Sequence, residues 1–214
     1  MSITLLIIIL TVGITYIAQP GSAAFYRLLH NPYQEARNGE WYRLLTSGFL
    51  HGNLGGGSGP WLHLGLNMFV LYQFGEFVEY RFVDHFGPTM GRVNYLLLYL
   101  LTIVAANLGT FFQYRDQPNF SSVGASGAVS GIILVFVIFQ PWSMLLLFFV
   151  IPCPAIVAAV LFLAYSSYAG KRGGSHIDHL AHFYGAVFGF GFTILLEPEW
   201  LGYFVRQLIN GAPF

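Results

Sequence analysis

Apolar residues in this chain gather in long, nearly uninterrupted runs, with polar residues and Gly/Pro punctuation confined between them. Six runs stand out, at approximately 3–19, 61–79, 93–113, 126–140, 142–165 and 180–197. Strand alternation is absent, and a hydrocarbon solvent tolerates no unpaired backbone, so each run predicts a membrane-spanning helix. The expected architecture is all-α: one polytopic bundle of six transmembrane helices over residues 1–214 with a long interfacial first loop. The run from Ile3 to Ala18 has no Lys or Arg before it and approaches the ~20 residues that cross a bilayer. It therefore reads as a retained helix rather than a secretory signal. With six spans, helices two, four and six run in the same direction.

The connections are unequal. Residues 20–60 mix aromatics, arginines and glycines and predict short amphipathic pieces in the headgroup zone, with Trp41, Tyr42 and Arg43 as surface anchors. Only the tripeptide QPW separates spans four and five.

Composition narrows the solvent. The chain has 214 residues, 56% hydrophobic and 8% charged, against roughly 25% charged in soluble domains. Mean hydropathy is +0.63, so lipid is the expected partner of most of the surface. Net formal charge is zero, which offers no basic face for nucleic acid. The single cysteine, Cys153, excludes an internal disulfide and reads as apolar packing between Pro152 and Pro154.

Polar groups inside such spans are expensive, and each becomes a functional candidate. In span two, His63 and Asn67 are four residues apart and share a helical face. In span four, the stretch GASG sets Ser126 at the helix start. In span six, His182 opens the helix, with Asp178 and His179 one turn before it. From Ser126 to Gln140 is fifteen residues, a rise of ~22 Å against a hydrocarbon layer of ~30 Å. His182 to Leu196 has the same length, so both helices are expected to start below the same surface, with His63 near that level.

Helix N-termini direct free N–H groups and positive dipole ends toward a developing anion. A serine attacking a carbonyl makes such an anion. His63, Asn67 and the Ser126 N–H are candidate stabilisers, and a neutral His182 is the candidate base and later acid. Gly124 and Gly127 suit a tight turn and close approach. The pairs Gly127/Gly131 and Gly185/Gly189 are small-xxx-small patterns that would let spans four and six touch. Each feature also has a plainer reading. GASG can be helix packing, and His63 with Asn67 can be interhelical hydrogen bonding. Asp178 with His182 has metal-ligand spacing without further ligands to complete a site, and Asp178 can alternatively orient His182. Glu76, Glu79 and Arg81 suit an inner-end ion-pair network.

WYR at 41–43 followed by LLTSGFLH, HLGLNM at 63–68, FGEFVEYRF at 74–82, GASG at 124–127 and AHFYGAVFG at 181–189 occur in this order on these spans. Together they resemble the rhomboid family of intramembrane serine proteases over roughly residues 38–196. The resemblance implies a Ser126–His182 dyad without a third acid or a cofactor, and an oxyanion site of His63, Asn67 and the Ser126 backbone. It implies single-pass transmembrane substrates cut near the outer membrane edge, and an integral membrane location, expected in a bacterial inner membrane. It further implies a water-filled cavity bordered by the first loop and a mobile segment at 165–179, with span five as the lateral entrance. The family orientation puts the N-terminus inside.

Two features depart from the family pattern. GNLGGGSGP after His51 is longer than bacterial members usually carry. Where some members have a tyrosine packing on the catalytic ring this chain has Ser130, so that task falls to Phe183, to Tyr184 or to no residue. Two other functions fit parts of the pattern: a silent relative binding transmembrane clients, and a haem protein using His63 and His182 as axial ligands.

Overall fold

In the computed structural model, which describes residues 1–53, 59–147, 150–172 and 177–211, the apolar runs wind into helices with identifiable stops. Helix α1 (Ile3–Ile17) is capped by the Ser2 hydroxyl, which accepts from the Leu5 N–H. The first loop folds into α2 (Ala23–Leu28), α3 (Pro32–Asn38) and α4 (Arg43–Thr46), followed by a 3-10 turn at Ser47–Phe49. Helix α5 (Gly59–Phe86) then meets α6 (Pro88–Tyr114) at Gly87, whose φ of +81° and following proline reverse the chain. Helix α7 (Ser126–Phe139) leads into strands β1 (Met144–Leu147) and β2 (Ile151–Pro154), then α8 (Ala155–Arg172), α9 (His179–Leu196) and α10 (Glu199–Asn210).

Helix α7 is central, touching α5, α6, α8, α9 and α10. It carries the fully buried Ile132, Val135 and Ile138, which share one core cluster with Leu71, Val78 and Phe82 of α5 and Leu98 and Tyr99 of α6. Helices α6 and α9 are long and apolar enough by themselves to cross a bilayer, while α1 and α7 are apolar but shorter.

Several expectations require correction. Residues 142–165 do not form one span: they begin as an antiparallel hairpin pairing Leu145 with Cys153, and the helix runs instead from Ala155 to Arg172. Pro152 and Pro154 explain this, because neither can sit in a helix interior. The supposed loop from 165 is thus helical to Arg172; residues 173–176 of it, and 54–58 of the Gly-rich stretch, lie outside the described residues. The second span continues beyond residue 79 to Phe86, because its acids are satisfied rather than exposed. Glu79 accepts from the Ile3 N–H at 2.8 Å, the Thr4 N–H at 2.8 Å and the Thr4 hydroxyl at 2.9 Å, and Ser2 donates to Glu76. Two carboxylates therefore receive the positive end of α1. Arg81 is not in that network: it lies 4.0 Å from Asp84 and over the Phe139 ring.

Arg43 is not a surface anchor either. It is buried, donating to the carbonyls of Tyr26 (2.8 Å) and Leu29 (3.0 Å) and to Glu40 (2.6 Å), and so knots the first loop together. Its neighbours Trp41 and Tyr42 do stay about half exposed. Helix α10 was not anticipated; Trp200 is its buried side, and Leu201, Val205 and Ile209 form an exposed apolar stripe.

Candidate active site

Short-range constraints fix where α7 begins. Gly124 has φ +134°, a conformation side-chain-bearing residues avoid, and a Cβ there would come within 2.9 Å of the His63 ring. Its N–H donates to the Ser47 carbonyl at 3.0 Å. Asn107 of α6 holds that turn in place, its amide donating to Leu44 O (2.7 Å) and Ser47 Oγ (3.0 Å). Just upstream, Ser122 and His30 exchange backbone hydrogen bonds of 3.0 and 3.1 Å. His30 in turn meets Glu35 at 2.6 Å, both side chains fully buried. The first loop is thereby stitched to the segment that delivers Ser126.

The start of α9 is set by Asp178, whose Oδ1 accepts from the Ala181 N–H and from the Thr110 hydroxyl, each at 2.9 Å. Asp178 is therefore a helix cap tied to α6, and no side-chain hydrogen bond to His182 is among its contacts in the described residues. Helices α7 and α9 approach until glycine meets glycine. A Cβ on Gly185 would run into the Gly127 carbonyl, and one on Gly189 would lie 2.7 Å from the Gly131 Cα. The matched order Gly127–Gly185 and Gly131–Gly189 makes the two helices parallel. Gly127 belongs to this contact rather than to a turn: it is helical, and a Cβ there would be 2.7 Å from Ala106 of α6.

That contact brings Ser126 Oγ to 2.7 Å from His182 Nε2. With the imidazole proton on Nδ1, Nε2 accepts from the serine hydroxyl and is aligned to take its proton. Phe162 of α8 stacks against the His182 ring, and His179 meets its edge. Of the alternatives for that position, neither Phe183 nor Tyr184 packs on the ring. Phe183 and Tyr184 meet each other, and Tyr184 lies against Gly109. Ser130 turns its hydroxyl to the Ser126 carbonyl at 2.7 Å, one helical turn back.

His63 and Asn67 line the same cavity as Ser126 and His182, a space of about 530 Å³. His63 Nδ1 lies 3.2 Å from the Gly52 carbonyl, and Asn67 Nδ2 donates to the His63 carbonyl at 2.9 Å. The Asn67 amide has a second N–H beyond that bond. Behind His63 stands His51, edge-on at 4.9 Å and fully buried, with Nδ1 3.1 Å from the Thr15 hydroxyl. Burial, reinforced by the neighbouring His63, pushes the His51 imidazole down to about 3, so it is neutral at physiological pH.

Sequence reasoning missed Phe162, Asn107, Ser47, His51 and Thr110 as parts of this site. Asn107, a carboxamide inside the third apolar run, carried a readable signal as a polar group within a membrane span. Phe162 carried none, being one of 21 phenylalanines.

The family model described as Rhomboid domain matches residues 38–199. The chain is 30% identical over 157 residues to the RHOMBOID-like protein 12, mitochondrial, of Arabidopsis thaliana, covering 70% of this chain and 45% of that protein. It is 32% identical over 165 residues to the Rhomboid-like protein 11, chloroplastic, of the same plant, covering 73% and 53%. Similarity extends to the Rhomboid protease GluP of Bacillus subtilis (strain 168), 28% identical over 176 residues, 81% of this chain and 30% of that protein. The chain spans about half the length of the first two of these curated relatives.

Proposed function

The chain belongs to the rhomboid family, and from that premise we propose that it is an intramembrane serine endopeptidase cutting single-pass transmembrane segments near one membrane edge. The observation that carries this reading is the 2.7 Å approach of Ser126 Oγ to His182 Nε2 in a cavity shared with His63 and Asn67.

In the proposed reaction His182 Nε2 accepts the Ser126 proton as Oγ bonds to the scissile carbonyl carbon. The carbonyl π electrons move to oxygen, where the Ser126 N–H and the free Asn67 N–H meet the new negative charge; His63 joins them as a donor through Nε2–H when its ring is protonated, since its Nδ1–H faces the Gly52 carbonyl. Collapse of this intermediate breaks the C–N bond, and the imidazolium returns its proton to the leaving amine. Water, deprotonated by His182, then hydrolyses the acyl-serine. Each oxyanion donor contributes about 3–4 kcal/mol to such a transition state. No metal or cofactor has a role in these steps. The substrate must unwind locally, because a helical peptide bond is shielded by its own hydrogen bonds and surrounded by side chains.

Family membership makes the chain an integral membrane protein. We read α1, α5, α6, α7, α8 and α9 as its six spans, with α2–α4 at the interface and α8 flanking the substrate's route. The relatives carry mitochondrial, chloroplastic and bacterial names, and a bacterial inner membrane is the location we propose for this one.

The test is cleavage of a panel of single-pass segments, with product masses measured. Ser126→Ala and His182→Ala should each abolish the products while the protein still folds, and a serine-directed phosphonate should label Ser126. Undiminished cleavage by either variant refutes the dyad. A wild-type protein that binds such segments without cutting them would instead be a silent relative.

A further inference from the structure

Gln73 stands at the midpoint of the 28-residue α5, six residues beyond Asn67, and its side chain is exposed. A carboxamide held at that depth costs free energy unless something hydrogen-bonds it. Its surroundings provide nothing of the kind. It lines a second cavity of about 750 Å³ between α5, α7, α8 and the β1–β2 hairpin, walled by residues such as Phe69, Phe74, Leu134, Phe136 and Ala159. Ser130, also on that wall, has its hydroxyl committed to the Ser126 carbonyl. Among the described residues the Gln73 amide makes no hydrogen bond.

This groove is continuous with the candidate active site: Leu66, Val70, Ser130, Ile133 and Phe162 line both cavities. A chain cut at Ser126 therefore has an apolar trough leading directly to Gln73. A lipid acyl chain filling the trough would leave the amide unpaired. A transmembrane helix with a polar side chain at the matching depth would pair it.

We propose that Gln73 is a specificity-determining residue that hydrogen-bonds an Asn, Gln, Ser or Thr side chain in the uncleaved, helical part of the substrate. The inference rests on the protease reading. An amide both donates and accepts, so Asn and Gln partners can form two bonds with it and Ser or Thr one. At ~1.5 Å per residue, Gln73 lies ~9 Å along α5 from Asn67, so the partner belongs about six residues from the cut.

The experiment uses the purified full chain in liposomes with leucine-rich single-pass substrates that differ at one position. One carries Asn about six residues from the cut, one carries Leu there, and a third carries the Asn two positions away, on the opposite helical face. The wild type is expected to favour the first substrate in kcat/KM by roughly three- to tenfold, the range of an interhelical hydrogen bond in a membrane, with the difference in KM. Gln73→Leu should bring that ratio to about one, and Gln73→Asn should restore part of it. A wild-type ratio of one, a ratio indifferent to the face carrying Asn, or a preference that survives Gln73→Leu overturns the proposal. The wild-type position scan decides the matter even if the variant fails to fold. Absence of any Ser126-dependent product from all three substrates overturns the protease reading itself, and this inference with it.

Discussion

Phe162 on α8 stacks over the imidazole of His182 on α9, with ring centroids 6.0 Å apart and planes 27° from parallel. The stack restricts rotation of the ring about its side-chain bonds and so keeps Nε2 facing Ser126. It also makes the geometry of the dyad depend on where α8 stands. An aromatic pair is worth about 0.5–1.5 kcal/mol beyond its buried area. Phe162→Ala is accordingly expected to lower kcat by roughly two- to tenfold, while Phe162→Tyr keeps most of it. Product formation at saturating substrate measures both.

The α7–α9 contact gives a sharper expectation. Gly185→Ala sets a methyl against the Gly127 carbonyl, a backbone atom with no rotamer to escape into. Overpacking of this kind costs about 1–3 kcal/mol. Forcing the helices apart should also separate Ser126 from His182, so activity should fall further than stability. Gly191→Ala on the same helix has open space around it and should lower neither activity nor stability. Thermal unfolding in detergent, beside cleavage rate, tells the two apart.

Asn67 has one amide N–H engaged by the His63 carbonyl and a second available to the cavity. Asn67→Ala should therefore reduce kcat by about 10²–10³, the usual effect of deleting an oxyanion donor, with KM little changed. Steady-state kinetics on one model substrate measure this, and full activity would remove Asn67 from that role.

His51 supplies one part of the pH dependence of stability. Its folded-state value is pushed from 6.5 to about 3, so between these limits the unfolded chain takes up a proton that the folded protein refuses. The unfolded state then binds more protons, and stability rises with pH. Acidification should destabilise the protein progressively from about pH 6.5 downward, with this contribution levelling near pH 3. In His51→Phe that part of the slope should vanish, although the Thr15 hydrogen bond is lost as well. Unfolding midpoints measured across this range for both proteins compare the slopes.

Much of the molecule was legible before any coordinates. The apolar runs named the helices α1, α5, α6, α7 and α9 to within a few residues at most ends, because burial in lipid demands length and apolarity that no other element supplies. The α5 boundary failed where charge misled: Glu79 looked like a span end, yet it is buried beneath the α1 N-terminus. The fifth run failed because uniform apolarity says nothing about strand or helix, and the prolines at 152 and 154 decided for a hairpin. Arg43 shows the same limit, since a charged residue in a loop reads as exposed until its carbonyl acceptors are known.

The residue types of the candidate chemistry were set by the sequence alone: a serine at a helix start, a histidine at another, and glycines at four-residue spacing on both. Those features are local and survive in one dimension. The pairing of Ser126 with His182, the ring of Phe162 over that histidine, and the Asn107–Ser47 tie beneath the Gly124 turn were decided only in the tertiary structure. Each joins residues on different elements, and their meeting depends on packing distances of a few ångströms that periodicity and composition do not encode.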